Sequence, residues 1–198
     1  PNRLRALVSV ESLLEDLEIA ENSAEKILSI KEGLIGPARQ RNDAPVSLRE
    51  MITDTVVGMG LPDGIVEFDW AEDMPNAFVD ARQVEQVFNN LIKNSWEAMS
   101  QTYEPKIIVK GRRDVDPKFV LVTVKDNGPG ISKVHQDRIF ERFYRVDKGR
   151  TRNQSDFSRG FGLGLALVKH HMLNHSGSVK LISEPNNGSE FICEFPIA

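Results

Sequence analysis

The chain has 198 residues, with 25 Lys plus Arg against 29 Asp plus Glu and a formal net charge of −4. That length suits one well-buried domain with an appendage, and without a long basic run nothing points to nucleic acid as a partner. A single cysteine, Cys193, excludes an internal disulfide framework and a Cys-rich zinc site. A reducing, cytoplasmic setting is the expectation. No apolar stretch approaches the ~20 residues that cross a bilayer, and no signal peptide opens the chain. A soluble polypeptide is expected, whose parent protein can still be membrane-anchored; the start at Pro1, within a helical pattern, suggests a piece of something longer.

Residues 3 to 36 read as a helix, because Leu7, Val10, Leu14 and Leu17 recur at spacings of three and four, with Ala24, Ile27, Leu28 and Leu34 extending the stripe. The seven-residue separations favour a helical bundle, and with it a homodimer through residues 1–45. Gly33, Gly36 and Pro37 break the pattern, and residues 39–45 read as a polar linker. A second unit, residues 46–198, follows. Ser47 with Glu50 suggests a capping box before a short helix to about Val57. Ile65 to Trp70 alternates as a strand, Phe78 and Val79 add a small one, and Asp80 caps a long helix to about Met99.

Ile107 to Gly111 and Phe119 to Lys125 read as paired strands. Leu163 to Leu173 reads as a helix, and Val179 to Ser183 with Glu190 to Pro196 as a closing hairpin around Asn187 and Gly188. Without regular βαβ alternation, the expected fold class is α+β, a two-layer α/β sandwich on a mixed, mostly antiparallel sheet.

Four segments carry the chemistry. Asn90 and Asn94 lie one helical turn apart and share a face, where two carboxamides can hold a hydrated Mg²⁺ and phosphate oxygens; two ordinary polar helix residues read about as well. Asp126, at a strand end, can accept a hydrogen bond from an exocyclic amine such as that of adenine, while Gly128 and Gly130 allow a ligand close to the backbone. An ordinary turn fits that segment equally. Ile139 to Arg145 sets Phe140, Phe143 and Tyr144 beside Arg142 and Arg145, either to meet a base and phosphates or as core. Residues 147–159 read as a loop that closes over a ligand. Gly160, Gly162 and Gly164 then lead into an apolar helix, whose N-terminal N–H groups suit an anion; the spacing is neither a Walker A loop nor a dinucleotide motif.

As NNLIKNSWEAM, DNGPGI, FERFYR and GFGLGLAL, these segments resemble, in order and spacing, the N, G1, F and G2 boxes of sensor histidine kinases of the GHKL superfamily. The GSEF segment at Gly188 to Phe191 is similar to the family's last glycine motif, and the N box resembles the nitrogen-regulation and oxygen-sensing branch. The resemblance covers about Val46 to Ala198. It implies the Bergerat ATP-binding fold, with ATP and Mg²⁺ as ligands. Asn94 would ligate Mg²⁺ with Asn90 nearby as the catalytic pair, and Asp126 would read the adenine amine. Gly128, Gly130 and Ile131 would line the base pocket, with Ser189 supporting adenine through water. Tyr144 and Arg145 would approach base and phosphates, and Gly160, Gly162, Leu163 and Gly164 would border the triphosphate. The γ-phosphoryl group would pass to a histidine on a dimeric helical hairpin and then to a response regulator.

Three features depart from the family pattern. Glu97 stands where many of these kinases carry Lys, and Phe161 where a small residue is usual. The only histidines, His135, His170, His171 and His175, lie outside the N-terminal helix, so residues 1–45 resemble the second helix of a hairpin whose phosphoacceptor lies elsewhere; the four are expected to be ordinary surface or core residues. A gyrase- or chaperone-type ATPase would need Glu at Asn90 as general base. An anti-sigma serine kinase fits FERFYR less well, and a non-catalytic nucleotide-binding and dimerisation module is the reading that Glu97 and Phe161 motivate.

Overall fold

The computed structural model of the protein describes residues 41–146 and 162–198, together with Leu14 and Leu17, which are helical and exposed. The remainder of the expected helix over residues 3–36, the closing loop, Gly160 and Phe161 lie outside the described residues.

In chain order the elements are β1 (Ala44–Val46), α1 (Leu48–Gly58), β2 (Val66–Trp70), β3 (Ala77–Val79) and α2 (Ala81–Ala98), then β4 (Ile107–Arg113), β5 (Phe119–Asp126) and α3 (Lys133–Gln136), and finally α4 (Gly164–Asn174), β6 (Ser178–Ser183) and β7 (Ser189–Pro196). The main sheet runs β2-β4-β5-β7-β6. Only its β2–β4 pair is parallel, and the other neighbours are antiparallel. A mixed, mostly antiparallel sheet under one helical layer is therefore the architecture, as the order of sequence patterns implies.

Local chemistry sets the helix starts. Ser47 accepts a hydrogen bond from the Glu50 N–H at 3.4 Å, the serine half of the capping box. Asp80 accepts from the Arg82 and Gln83 N–H groups at 3.0 and 3.4 Å and so starts α2. Strand alternation then sends Ile107, Val109, Val120, Val122, Val124, Phe191, Cys193 and Phe195 to one face of the sheet, all buried. Against them pack Val84, Val87, Phe88, Leu91 and Ile92 of α2, Val168 and Met172 of α4, and Leu48, Ile52 and Val56 of α1. The rings of Phe88 and Phe195 meet at 6.0 Å between centroids.

One segment differs from expectation. Ala44 and Pro45, read as linker, form β1 with Val46, antiparallel to β3. Asn42 N–H also donates to Asp80 Oδ2 at 2.9 Å. Residues 44–46 are thus held on the domain by backbone pairing, and Asn42 by the Asp80 carboxylate, contacts that the polar sequence around them hides.

Candidate functional site

β5 ends at Asp126, which pairs across the sheet with Ser189 of β7. Its carboxylate is buried yet well partnered: Oδ1 accepts from Gly128 N–H at 2.9 Å and Ser189 N–H at 3.2 Å, and Oδ2 accepts from the Ser95 hydroxyl at 3.2 Å. Burial pushes the Asp126 pKa up, and those three hydrogen bonds pull against it. A carboxylate offers about four acceptor sites. Three bonds leave Oδ2 with capacity for one further donor.

The turn after Asp126 is fixed on two sides. Asn127 accepts from Lys106 N–H at 2.8 Å and donates to Glu104 O at 2.9 Å. On the other side Gly188 N–H donates to Gly128 O at 3.0 Å and Asn186 N–H to Pro129 O at 2.7 Å, which docks the turn on the β6–β7 hairpin. Gly130 has φ +68°, and an added Cβ there would lie 1.9 Å from Glu184 O. Ile131 N–H donates to Ser183 Oγ at 2.8 Å, and Ser183 in turn donates to Gly188 O at 2.8 Å. Ser183 has then spent its only proton, so at 3.2 Å the Ser189 hydroxyl is the donor between the two, leaving Ser189 Oγ its lone pairs.

The second cluster lies between α2 and α4. Asn90 Nδ2 donates to Gln86 O at 2.9 Å, turning Oδ1 toward α4. There an added Cβ on Gly164 would lie 2.9 Å from Asn90 Oδ1 and 3.7 Å from Asn94 Nδ2. Leu163 is buried and offers no side-chain cap to α4, so the first N–H groups of that helix are not claimed by one. Two carboxamides and a helix start therefore face one another, the donor set that a hydrated cation with phosphate oxygens requires.

α2 joins the clusters, since Ser95 on Asp126 is the immediate neighbour of Asn94. Asp126, Gly128, Gly130, Ile131 and Ser189 come together at one end; Asn90, Asn94, Leu163 and Gly164 come together at the other. Gly162 links the second glycine segment to the aromatic one, its carbonyl accepting from Phe143 N–H at 2.9 Å. Tyr144 lies against α3, where its hydroxyl shares a 2.6 Å hydrogen bond with His135 Nδ1 and the Arg138 guanidinium stacks 4.3 Å from its ring centroid. Arg145 and Glu97 are exposed.

Sequence reasoning missed Ser95, Met99 and Ser183. Met99 Cγ would lie 3.2 Å from an added Cβ on Gly128, which puts it on the floor of the turn. Ser95 and Met99 had a signal: they continue the apolar stripe of Phe88 and Ile92 at helical spacing, and a serine there is a buried polar group needing a partner. Ser183 had none. His171 and His175 are buried, and among the described residues no helix is long and apolar enough to cross a membrane.

Comparison with known proteins gives a consistent picture. Residues 79–198 match the family described as histidine kinase-, DNA gyrase B-, and HSP90-like ATPase. Over 77 residues the chain is 51% identical to the sensor-like histidine kinase SenX3 of Mycolicibacterium smegmatis, covering 39% of this chain and 19% of that protein. Over 193 residues it is 31% identical to the sensor histidine kinase MtrB of Mycobacterium leprae, covering 96% of this chain and 33% of that one. The chain thus spans a third or less of these two curated relatives. Among solved structures, full-length ShkA in complex with AMPPNP superposes with a TM-score of 0.71 at 24% identity, over 95% of this chain and 39% of that one, a likeness of fold.

Proposed function

This chain belongs to the histidine kinase-, DNA gyrase B- and HSP90-like ATPase family, whose members bind ATP, and we propose that it is the catalytic, ATP-binding part of a sensor histidine kinase. It would pass the γ-phosphoryl group of ATP to a histidine on another helix, from which a response regulator would take it. The two curated relatives are themselves named as sensor histidine kinases. The observation that carries the reading is the arrangement along α2: Ser95 holds Asp126 at one place, while Asn90 and Asn94 face Gly164 at the next turn.

The residues divide the work. Asp126 Oδ2 takes the adenine amine, with Met99 beneath the turn and Ser189 Oγ accepting from a bridging water. Leu163 and Gly164 present the α4 N-terminus to the phosphates, with Gly160 and Gly162 before them, and Arg145 is free to swing toward them from its exposed position. Asn90 Oδ1 and, with its amide turned to exchange Nδ2 for Oδ1, Asn94 would hold Mg²⁺, which when bound neutralises charge on the transferring phosphoryl group. Catalysis is then positioning and charge stabilisation, with the nucleophile brought from elsewhere. Asn90 argues against an ATPase, because a carboxamide cannot take a proton from water as a glutamate does.

On this reading the chain works in the cytoplasm, on a parent that can be anchored in a membrane, with residues 1–45 contributing to a dimeric hairpin. The deciding experiment is calorimetric titration of MgATP into the chain and its Asp126→Ala variant, followed by phosphotransfer from radiolabelled ATP to a separately supplied acceptor hairpin. Binding that vanishes in the variant, with label on the hairpin, is expected. Failure of the unsubstituted chain to bind MgATP refutes the reading, and binding without transfer to any supplied histidine favours the non-catalytic module.

A further inference from the structure

His171 on α4 and His175, its C-cap one turn later, are both buried, and their hydrogen bonds go to Gln83, Gln86, Asp80 and each other, outside the nucleotide site described above. The hydrogen bonds of His175 define its tautomer. Nδ1 lies 2.8 Å from His171 O, an acceptor only, so the proton sits on Nδ1. Nε2 is left as an acceptor, and it takes the Asp80 backbone N–H at 3.0 Å. Burial lowers the His175 pKa and keeps this neutral form, although Asp43 Oδ1 lies 3.9 Å from Nε2.

Asp80 is consequently held by three elements at once. Its N–H goes to the end of α4, its Oδ1 caps α2, and its Oδ2 accepts from Asn42 just ahead of β1. Successive contacts show that α2 and α4 run antiparallel: Asp80 with His175, Gln83 and Gln86 with His171 at 3.2 and 3.0 Å, and Asn90 with Gly164. The last of these contacts is the phosphate-facing one. A helix behaves as a rod with a rise of about 1.5 Å per residue, so a slip at Asp80 is carried along α2 to Asn90 and Asn94.

We propose that His175 is a positioning residue: through Asp80 it sets the register of α2 against α4, and links that register to the N-terminal segment at Asn42, so that the Asn90–Asn94 face meets Gly164. The role rests on the MgATP reading of the site. Asp126 stands on β5, where the Gly128 and Ser189 N–H groups hold Oδ1 without α2 and only its Ser95 bond lies on the moving helix, so adenine recognition is disturbed less than the Asn90–Asn94 face. Mg²⁺-dependent affinity therefore responds to His175 more strongly than affinity for ATP without metal.

The test compares ATP binding with Mg²⁺ and with EDTA in His175→Phe, which keeps a ring but deletes the acceptor, and His175→Gln, whose Oε1 restores one. The Mg²⁺-dependent gain in affinity is expected to fall about tenfold to a hundredfold in the Phe variant, the range for losing a group that orients metal ligands. Affinity in EDTA falls by less, and the Gln variant recovers the gain. An undiminished gain in His175→Phe, or equal losses with and without metal that Gln fails to repair, overturns the proposal. Should the Phe variant not melt cooperatively, His175→Met decides: it keeps a flexible side chain of similar volume but offers the Asp80 N–H no nitrogen or oxygen acceptor, and an undiminished gain there is equally fatal. If the unsubstituted chain binds no MgATP, the functional reading fails on its own. Amide exchange then judges the register: His175→Phe is expected to speed exchange at Asn42, Arg82 and Gln83 but not at Gly128, and unchanged rates at Asn42 and Arg82 refute it.

Discussion

Gly164 stands so close to Asn90 that a Cβ on it would lie 2.9 Å from the Asn90 amide oxygen. Gly164→Ala is therefore a functional substitution more than a structural one. The atom in the way is the end of a movable side chain, and Ala favours a helix over Gly by up to about 1 kcal/mol. The expected outcome is an unchanged or raised melting temperature with MgATP affinity reduced about tenfold or more, as for other losses of metal-ligand positioning. Calorimetry beside thermal melting checks it, and retained affinity would remove Asn90 from the site.

Asp126→Asn separates recognition from folding. An asparagine keeps Oδ1 for the Gly128 and Ser189 N–H groups, and its amide can donate to the Ser95 hydroxyl, so the internal partners survive. The charge that burial penalises is gone. An NH₂ now faces the adenine amine, however, donor against donor. Thermal stability should hold or rise, while ATP affinity falls by about tenfold to a hundredfold, the loss of a hydrogen bond to a charged group worth about 1.5–3 kcal/mol. Affinity within error of the unsubstituted chain would mean that Asp126 does not read the base.

Much of this was legible in the sequence because the signals were local. Asp80 as a cap, the Ile107–Arg113 and Phe119–Asp126 strands and the closing hairpin each follow from residues within one element. β3 is legible at Phe78 and Val79, but β1 was hidden since its partner is more than thirty residues away and three residues within a polar stretch are too few for alternation to register. The residue types of the site were likewise readable, but not who touches whom. Asn90 and Asn94 predict a shared face, whereas only folding brings Gly164 to it and Ser95 to Asp126. Ser183, joining Ile131, Gly188 and Ser189, has no pattern of its own to find.

Gly188→Ala is expected to fail where Gly164→Ala succeeds. Gly188 has φ +71°, and its added Cβ would lie 1.9 Å from Asp126 O, a backbone atom held in the sheet. Neither the turn nor the strand can yield without breaking the β5–β7 ladder. Conformational strain and the clash together should cost on the order of 3 kcal/mol or more. Chemical denaturation measures this directly, and a variant as stable as the unsubstituted chain would show that the hairpin turn is not held as described.

Acid should weaken the fold through His171. Burial, reinforced by His170 and His175 and opposed by Asp80, lowers its pKa from 6.5 to about 4. The folded state thus disfavours the proton that the unfolded state accepts. Above about pH 6.5 both states are neutral and stability is unaffected; between about 6.5 and 4 the unfolded chain alone is protonated, and stability drains away; below that the loss levels off at roughly 3 kcal/mol at most. His170 and His175 shift the same way, and Asp126, raised by burial, shifts the other. The His171→Gln variant isolates the effect, since glutamine can still bond Gln83 or Gln86 but does not titrate in this range. Denaturation midpoints of the two proteins should differ by a constant amount above about pH 7 and move toward or past each other in the variant's favour as pH falls toward about 4.5. Parallel loss in both would place the acid-sensitive group elsewhere and leave His171 as packing alone.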